Sequence, residues 1–232
     1  MGRSGSFTIL ACAGLLLSGL ALAKGPGMAC DVVFKFGPGL YASGWRYLSF
    51  PRRQGAEFRA RGEDTVIVQA EAGVGVLWHP VPQRASGASK ARWRWRVTAG
   101  VGPTDLTKKG GDDRTLAVYF AFVDGPETAE GLDLMELLGR EQGYLLMYVW
   151  GGAVNPGTVL PLPYFGGRGR TVVKRAADAP MGIWFEEVAD VRGDFRRAFG
   201  RSPGRLVAVA VSSDSDDTGG LNVAAVADLC VN

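Results

Sequence analysis

The side chains best suited to chemistry in this sequence are arginines, aspartates and aromatic rings on or beside three strand-like runs. These runs are residues 92–97, 115–123 and 144–150. Aromatic rings stack on the apolar faces of sugars, and arginines and carboxylates hold hydroxyl or acidic groups. The sequence therefore predicts a ligand-binding face formed by Arg94, Arg96, Asp112, Asp113, Tyr119, Tyr148 and Trp150.

The prediction of one shared face depends on strand parity. Successive side chains of a strand point to opposite faces, so Arg94 and Arg96 lie opposite Trp93 and Trp95. The same alternation places the tyrosines of the other two runs opposite aliphatic neighbours. If the three runs are strands of one sheet, all seven side chains converge. The alternative is that the aromatic rings are ordinary core and that the charges form a structural ion-pair cluster.

A second acidic segment, residues 214–220, precedes the last strand-like run. Asp214, Asp216 and Thr218 stand at the first three ligand spacings of an EF-hand calcium loop, but Ala225 occupies the twelfth position, where that loop needs a glutamate. Calcium, held by Asp214 and Asp216, is therefore the one cofactor candidate, and an Asx-rich hairpin turn is the alternative. No other cofactor is expected.

Several classes of enzyme are disfavoured by what the sequence lacks. His79 is the single histidine, and no nucleophile motif of the G-x-S-x-G kind accompanies it, so a Ser-His-Asp triad is disfavoured. The sequence has no phosphate-binding loop, dinucleotide fingerprint, C-x-x-C pair or histidine-rich metal site. The 26 basic and 23 acidic residues nearly balance, and the basic ones are scattered, so no nucleic-acid partner is expected.

The first 23 residues have the pattern of a Sec-type signal peptide. Arg3 gives a basic start, residues 7–22 are apolar, and residues 21–23 form a small-x-small cleavage site. A lipoprotein-type anchor at Cys12 is the alternative. No later stretch approaches the ~20 apolar residues of a membrane span. The sequence thus predicts a periplasmic or secreted protein, with no membrane span after cleavage.

Two cysteines, Cys30 and Cys230, remain once the signal peptide is removed, one near each end of the mature chain. An even pair in an exported protein predicts a disulfide bond. Two free buried thiols are the alternative.

The remaining residues, 24–232, are expected to form a single domain. About ten or eleven strand-like runs are separated by glycine- and proline-rich turns, and helical spacing is confined to residues 126–138 and 190–199. This pattern predicts an all-β protein, an antiparallel β-sandwich of jelly-roll type with two short peripheral helices. We expect a monomer.

Five segments carry a further signal in their order along the chain: RWRW at 92–95, DLTKKGGDD at 105–113, YVW at 148–150, DFRRAFG at 194–200 and DSDDT at 214–218. Together they resemble the exported bacterial family catalogued as domain of unknown function 3047. The resemblance covers nearly all of the mature chain, and it implies no catalytic residues because the family's function is uncharacterised. This sequence departs from the family pattern at Asp217, where the pattern has an amide, and in extra residues around 127–142.

Three functions fit these observations. The first is a module that binds a carbohydrate, or a similar small polar ligand, on one sheet face; Tyr148→Ala and Asp113→Asn should then abolish binding without unfolding the protein. The second is a polysaccharide lyase or hydrolase on the same scaffold, using Asp112 or Asp113 with a tyrosine or arginine. The third is a structural envelope protein without a ligand.

Overall fold

The computed structural model describes residues 1–2, 28–125, 134–139 and 143–232. Apart from residues 1–2, the predicted signal peptide lies outside the described residues. So does most of the helix predicted at 126–138, of which the part within α1, Leu134–Gly139, is described.

The described residues contain fourteen strands. They are β1 Val32–Val33, β2 Arg46–Leu48, β3 Gln54–Gly55, β4 Glu57–Arg61, β5 Thr65–Glu71, β6 Gly73–Pro80, β7 Lys90–Ala99, β8 Arg114–Val123, β9 Gly143–Trp150, β10 Val159–Pro161, β11 Gly169–Arg175, β12 Phe185–Asp190, β13 Arg205–Asp214 and β14 Leu221–Val231. The smaller sheet has the order β12-β7-β14-β5-β4, with β1 paired to β14. The larger sheet has the order β10-β11-β9-β8-β13-β6-β2, with β3 paired to β6.

The two sheets form the predicted β-sandwich of jelly-roll type. Neighbouring strands are antiparallel except in two pairs, β9 with β11 and β3 with β6, which are parallel. The main core lies between the sheets, where large aromatic side chains from both meet. Trp93 and Trp95 of β7 contact Phe120 of β8 and Tyr148 and Trp150 of β9.

The larger sheet is also covered on its outer face, at least in part. Strand β8 is buried at every position. Its alternate residues divide between the main core and a second apolar cluster on the outer face, which includes Ala117, Tyr119 and Ala121. Because both sets of side chains are apolar, the strand lacks the polar–apolar alternation of a half-exposed sheet.

Helix α2, Val191–Phe199, begins and ends as its sequence predicts. The side chain of Asp190 accepts a hydrogen bond from the backbone N–H of Gly193 at 2.8 Å, which caps the first turn. Gly200 takes the left-handed conformation, with φ 68°, that ends many helices. Phe195 and Phe199 pack together and on the ring of Tyr144 in the larger sheet.

The predicted disulfide bond is confirmed. Cys30 and Cys230 are bonded, with their Cα atoms 5.8 Å apart. The pairing of β1 with β14 brings the two cysteines together, since Val33 lies opposite Cys230. Among the described helices, none has the length and hydrophobicity needed to cross a membrane.

Candidate functional site

A cleft of about 500 Å³ lies on the outer face of the larger sheet. Ala121, Ala208 and Ala210 form part of its floor, and their small side chains leave a hollow above the sheet. Larger apolar side chains from β2, from the flanking loops and from α1 enclose the hollow: Leu48, Phe50, Leu134, Met135, Leu162, Tyr164 and Phe165.

Strands β8 and β13 place a buried arginine at one end of the cleft. Nη1 of Arg114 lies 3.0 Å from Oδ2 of Asp214 and 3.3 Å from Oδ2 of Asp112. Its Nη2 donates to Oη of Tyr119 at 3.1 Å, and this hydroxyl is 2.6 Å from Oγ of Ser212. Since Arg114 pairs with Asp214 in the sheet register, local backbone pairing brings the two charges together.

An acidic turn extends the same end of the cleft. Oδ2 of Asp113 accepts from the backbone N–H of Thr218 at 2.7 Å and from its hydroxyl at 2.6 Å, which fixes the turn against the start of β8. Carboxylate oxygens of Asp113, Asp216 and Asp217 all lie within 4.8 Å of one another. Oδ2 of Asp216 also pairs with Nε of Arg53 at 2.9 Å.

The electrostatics of this end are governed by burial and by crowded negative charge. Burial raises the pKa of Asp214 to about 7, against the opposing effect of Arg114 and with a further rise caused by the facing Asp216 carboxyl. Burial also raises the pKa values of Asp112 and Asp217. Although burial disfavours the charged form of Arg114, its neighbours Tyr119, Asp214 and Asp112 raise its pKa, so it stays a cation.

The structure brings together only part of the site predicted from sequence. Asp112 and Tyr119 line the cleft, together with both residues of the predicted metal pair, Asp214 and Asp216. Asp113 is buried behind them and bonded to the acidic turn.

The predicted convergence is wrong for Arg94 and Arg96. They lie on β7, which belongs to the smaller sheet, whereas the cleft lies on the larger one. Both guanidinium groups stack over the ring of Trp184, at 5.3 and 5.0 Å from its centre, and Arg94 also pairs with Asp228.

The predicted convergence is also wrong for Tyr148 and Trp150. In the antiparallel pair of β8 with β9, Tyr148 lies opposite Val118, while Tyr119 lies opposite Met147. Residues directly opposite each other point to the same face of a sheet. Tyr148 and Trp150 therefore face the core between the sheets, where they are fully buried, and Tyr119 faces the cleft.

Among the cleft residues that sequence reasoning missed are Arg53, Arg114, Tyr164 and Phe165. Arg114 carries a signal that could have found it, because it is a charged residue at the start of a strand that is apolar from Leu116 onward. The other three lie between strands, where no periodicity shows which way a side chain points.

Comparison of the sequence with family profiles gives one match. The profile of the family described as protein of unknown function (DUF3047) matches residues 43–230. The chain belongs to this family. The region that matches DUF3047 includes every residue of the cleft, from Leu48 to Asp217. A search of curated proteins found no match to this DUF3047 chain.

The DUF3047 chain is similar in backbone course to several solved structures. One is the xyloglucanase domain of NopAA from Sinorhizobium fredii in complex with cellobiose, at 8% identity and a TM-score of 0.46, covering 82% of this chain and 93% of that one. Another is a cellulase derived from Cel12A of Rhodothermus marinus, at 14% identity and a TM-score of 0.42, covering 81% and 99%. A third is a mutant of Necallimastix patriciarum Xyn11A, at 13% identity and a TM-score of 0.38, covering 87% and 98%.

Proposed function

We propose that this DUF3047 protein binds a carbohydrate, or a similar small polar ligand, in the cleft on the larger sheet. The observation that carries the proposal is the division of the cleft into an apolar, aromatic part and an acidic end with two arginines. Its volume of about 500 Å³ lies within the roughly 300–1,000 Å³ of small-molecule sites.

The two parts of the cleft match the two kinds of surface on a sugar ring. Tyr164 and Phe165 offer aromatic faces for the C–H face of the ring. Asp112, Asp216 and Arg53 offer acceptors and donors for hydroxyl groups on its edge. A ligand that is apolar throughout would displace water from the charged end without hydrogen-bonding to it, so it fits less well.

We further propose that the protein acts outside the cytoplasm, in the periplasm or as a secreted protein. The Cys30–Cys230 bond supports this location, because disulfides persist mainly in oxidising compartments. The apolar start of the sequence supports it independently. A monomeric state without a nucleic-acid partner remains part of the proposal.

A polysaccharide lyase or hydrolase on the same scaffold is the second candidate. The observation that favours it is the pairing of Tyr119 with Arg114, 3.1 Å apart in the lining of the cleft. A phenol held by the same guanidinium group as Asp112 could exchange a proton with a bound ligand. A structural protein without a ligand is the third candidate, and the cleft beside Tyr119 argues against it.

A glycan array followed by calorimetry tests the proposal. Tyr164→Ala should weaken binding of the best glycan about three- to tenfold, because an aromatic stacking face is lost. Tyr41→Ala is the matched control, since Tyr41 is a more exposed tyrosine outside the cleft.

Failure to bind any glycan, or equal losses in both variants, would contradict the proposal. Release of reducing ends or of unsaturated products from a bound polysaccharide would assign the enzyme instead.

A further inference from the structure

We propose that Asp113, Asp216 and Asp217 bind a calcium ion at the acidic end of the cleft. One carboxylate oxygen from each lies within 4.8 Å of the others. Calcium–oxygen distances are about 2.3–2.6 Å, so one ion can contact oxygens that are about 4.8 Å apart. The ligand set differs from the sequence-based prediction, because Oδ2 of Asp214 is directed to Arg114 instead.

The charges around the site leave an excess of negative charge. Five carboxylates meet there, and within the part of the chain that the structure describes their ion pairs involve two guanidinium groups, those of Arg53 and Arg114. The five carboxyl groups therefore outnumber the two guanidinium groups that pair with them. Grouping partly buried carboxylates in this way is costly unless a cation lies among them. The carboxylates are those of Asp112, Asp113, Asp214, Asp216 and Asp217.

A second observation points to a cation independently of the three ligands. Asp214 is 8% exposed, and its Oδ1 has no hydrogen-bond partner among the described residues. Its carboxyl group lies within hydrogen-bond reach of Asp216, one of the three proposed ligands, so it borders the site. Buried polar atoms nearly always have a partner. A cation bound to Asp216 would stabilise this oxygen as well.

Substitution of Arg53 tests the proposal, because the direction of the change in calcium affinity can be predicted. Its Nε is 2.9 Å from Oδ2 of Asp216, and its Nη1 is 4.0 Å from Oδ1 of Asp217. The side chain is 48% exposed, so it can swing into solvent. Arg53 therefore competes with a metal ion for two of the three ligands. A residue that only stabilised the turn would not act in this way.

Calorimetry with calcium chloride alone, on the chelator-treated protein, measures the binding. The wild type should bind one ion with a Kd on the order of 10⁻⁴ to 10⁻³ M, as extracellular modules do. Asp217→Asn should weaken binding about tenfold or more, because affinity follows the number of charged ligands. Arg53→Ala should tighten it about two- to fivefold, as expected for removal of an exposed ion pair. Asp64→Asn is the control, an exposed aspartate paired with Lys35.

Weaker binding by Arg53→Ala, or an unchanged Kd in Asp217→Asn, would overturn the proposal. So would the absence of binding heat in both the wild type and Arg53→Ala at millimolar calcium. Asp217 lies in a surface turn and its side chain is 19% exposed, and Asn is close to it in size, so its substitution should leave the fold intact, as circular dichroism can verify. If Asp217→Asn nevertheless unfolds, the test is whether Arg53→Ala lowers the Kd for calcium, as proposed, or raises it.

Discussion

Nη1 of Arg114 lies 3.0 Å from Oδ2 of Asp214 and joins the first residue of β8 to the last residue of β13. Arg114→Met would leave two nearly buried carboxylates, those of Asp214 and Asp112, without this partner. We expect the free energy of unfolding, measured in urea, to fall by about 3–5 kcal/mol.

Arg201→Met is the matched control for that substitution. Arg201 pairs with Asp124 on the surface, where losing an ion pair costs up to about 1 kcal/mol. Equal losses in the two variants would show that Arg114 is not the electrostatic centre of the site.

The hydroxyl of Tyr148 donates to Oδ2 of Asp194 at 2.6 Å, at the base of α2. Tyr148→Phe leaves that mostly buried oxygen without its donor, so the free energy of unfolding should fall by about 1–3 kcal/mol. Ligand affinity should stay unchanged, because Tyr148 faces the core and not the cleft. Tyr144→Phe is the control, since its hydroxyl accepts from the exposed Arg201. A loss of ligand affinity in Tyr148→Phe would contradict this and would support the sequence-based prediction that Tyr148 belongs to the binding site.

Replacing Cys230 by serine removes the bond that closes a loop spanning 200 residues. In the chain-entropy model this costs on the order of 5 kcal/mol, because the unfolded chain regains its freedom. Adding a reductant to the wild type should lower the free energy of unfolding, measured in denaturant, by as much as the substitution does. If a reductant lowers the free energy of unfolding of the wild type but not that of Cys230→Ser, the effect comes from this bond. A wild type that keeps its full stability after reduction would contradict the prediction.

Lys174 gives a pH-dependent prediction. Its ammonium group lies 5.1 Å from the centre of the Tyr148 ring, and burial lowers its pKa against the opposing effect of Glu187. Between that lowered pKa and the ordinary value of 10.5, the unfolded chain binds more protons than the folded one. The free energy of unfolding therefore rises with pH across this window. Lys174→Met should remove the rise, as urea unfolding at several pH values can measure.

Lys35 provides a control of opposite sign for this prediction. Its hydrogen bond to Asp64 raises its pKa, so the stability that it contributes is lost as the pH rises through that value. If Lys35→Met and Lys174→Met changed the pH dependence of the free energy of unfolding in the same direction, the predicted effect of Lys174 would be contradicted.

Much of the fold could be predicted from the sequence because its determinants are local. Turn residues separate the strands, and Asp190 and Gly200 mark the two ends of α2. The site was harder to predict because both alternating sets of side chains in β8 and β9 are apolar. Parity shows which residues share a face, but it cannot show which face is the core when both are covered. The sequence-based prediction for Tyr119, at a cleft, was therefore correct, whereas the same prediction for Tyr148 was wrong.

The pairing of β1 with β14 has a consequence for engineering. It brings residues 30 and 230 together on the smaller sheet, while the cleft opens on the outer face of the larger one. A short peptide could join these positions, and the chain could be reopened at the exposed Gly87, to give a circular permutant with an unaltered cleft. A fluorescent reporter fused after Asn232, which bonds to Lys90 beside the smaller sheet, would likewise leave the cleft accessible.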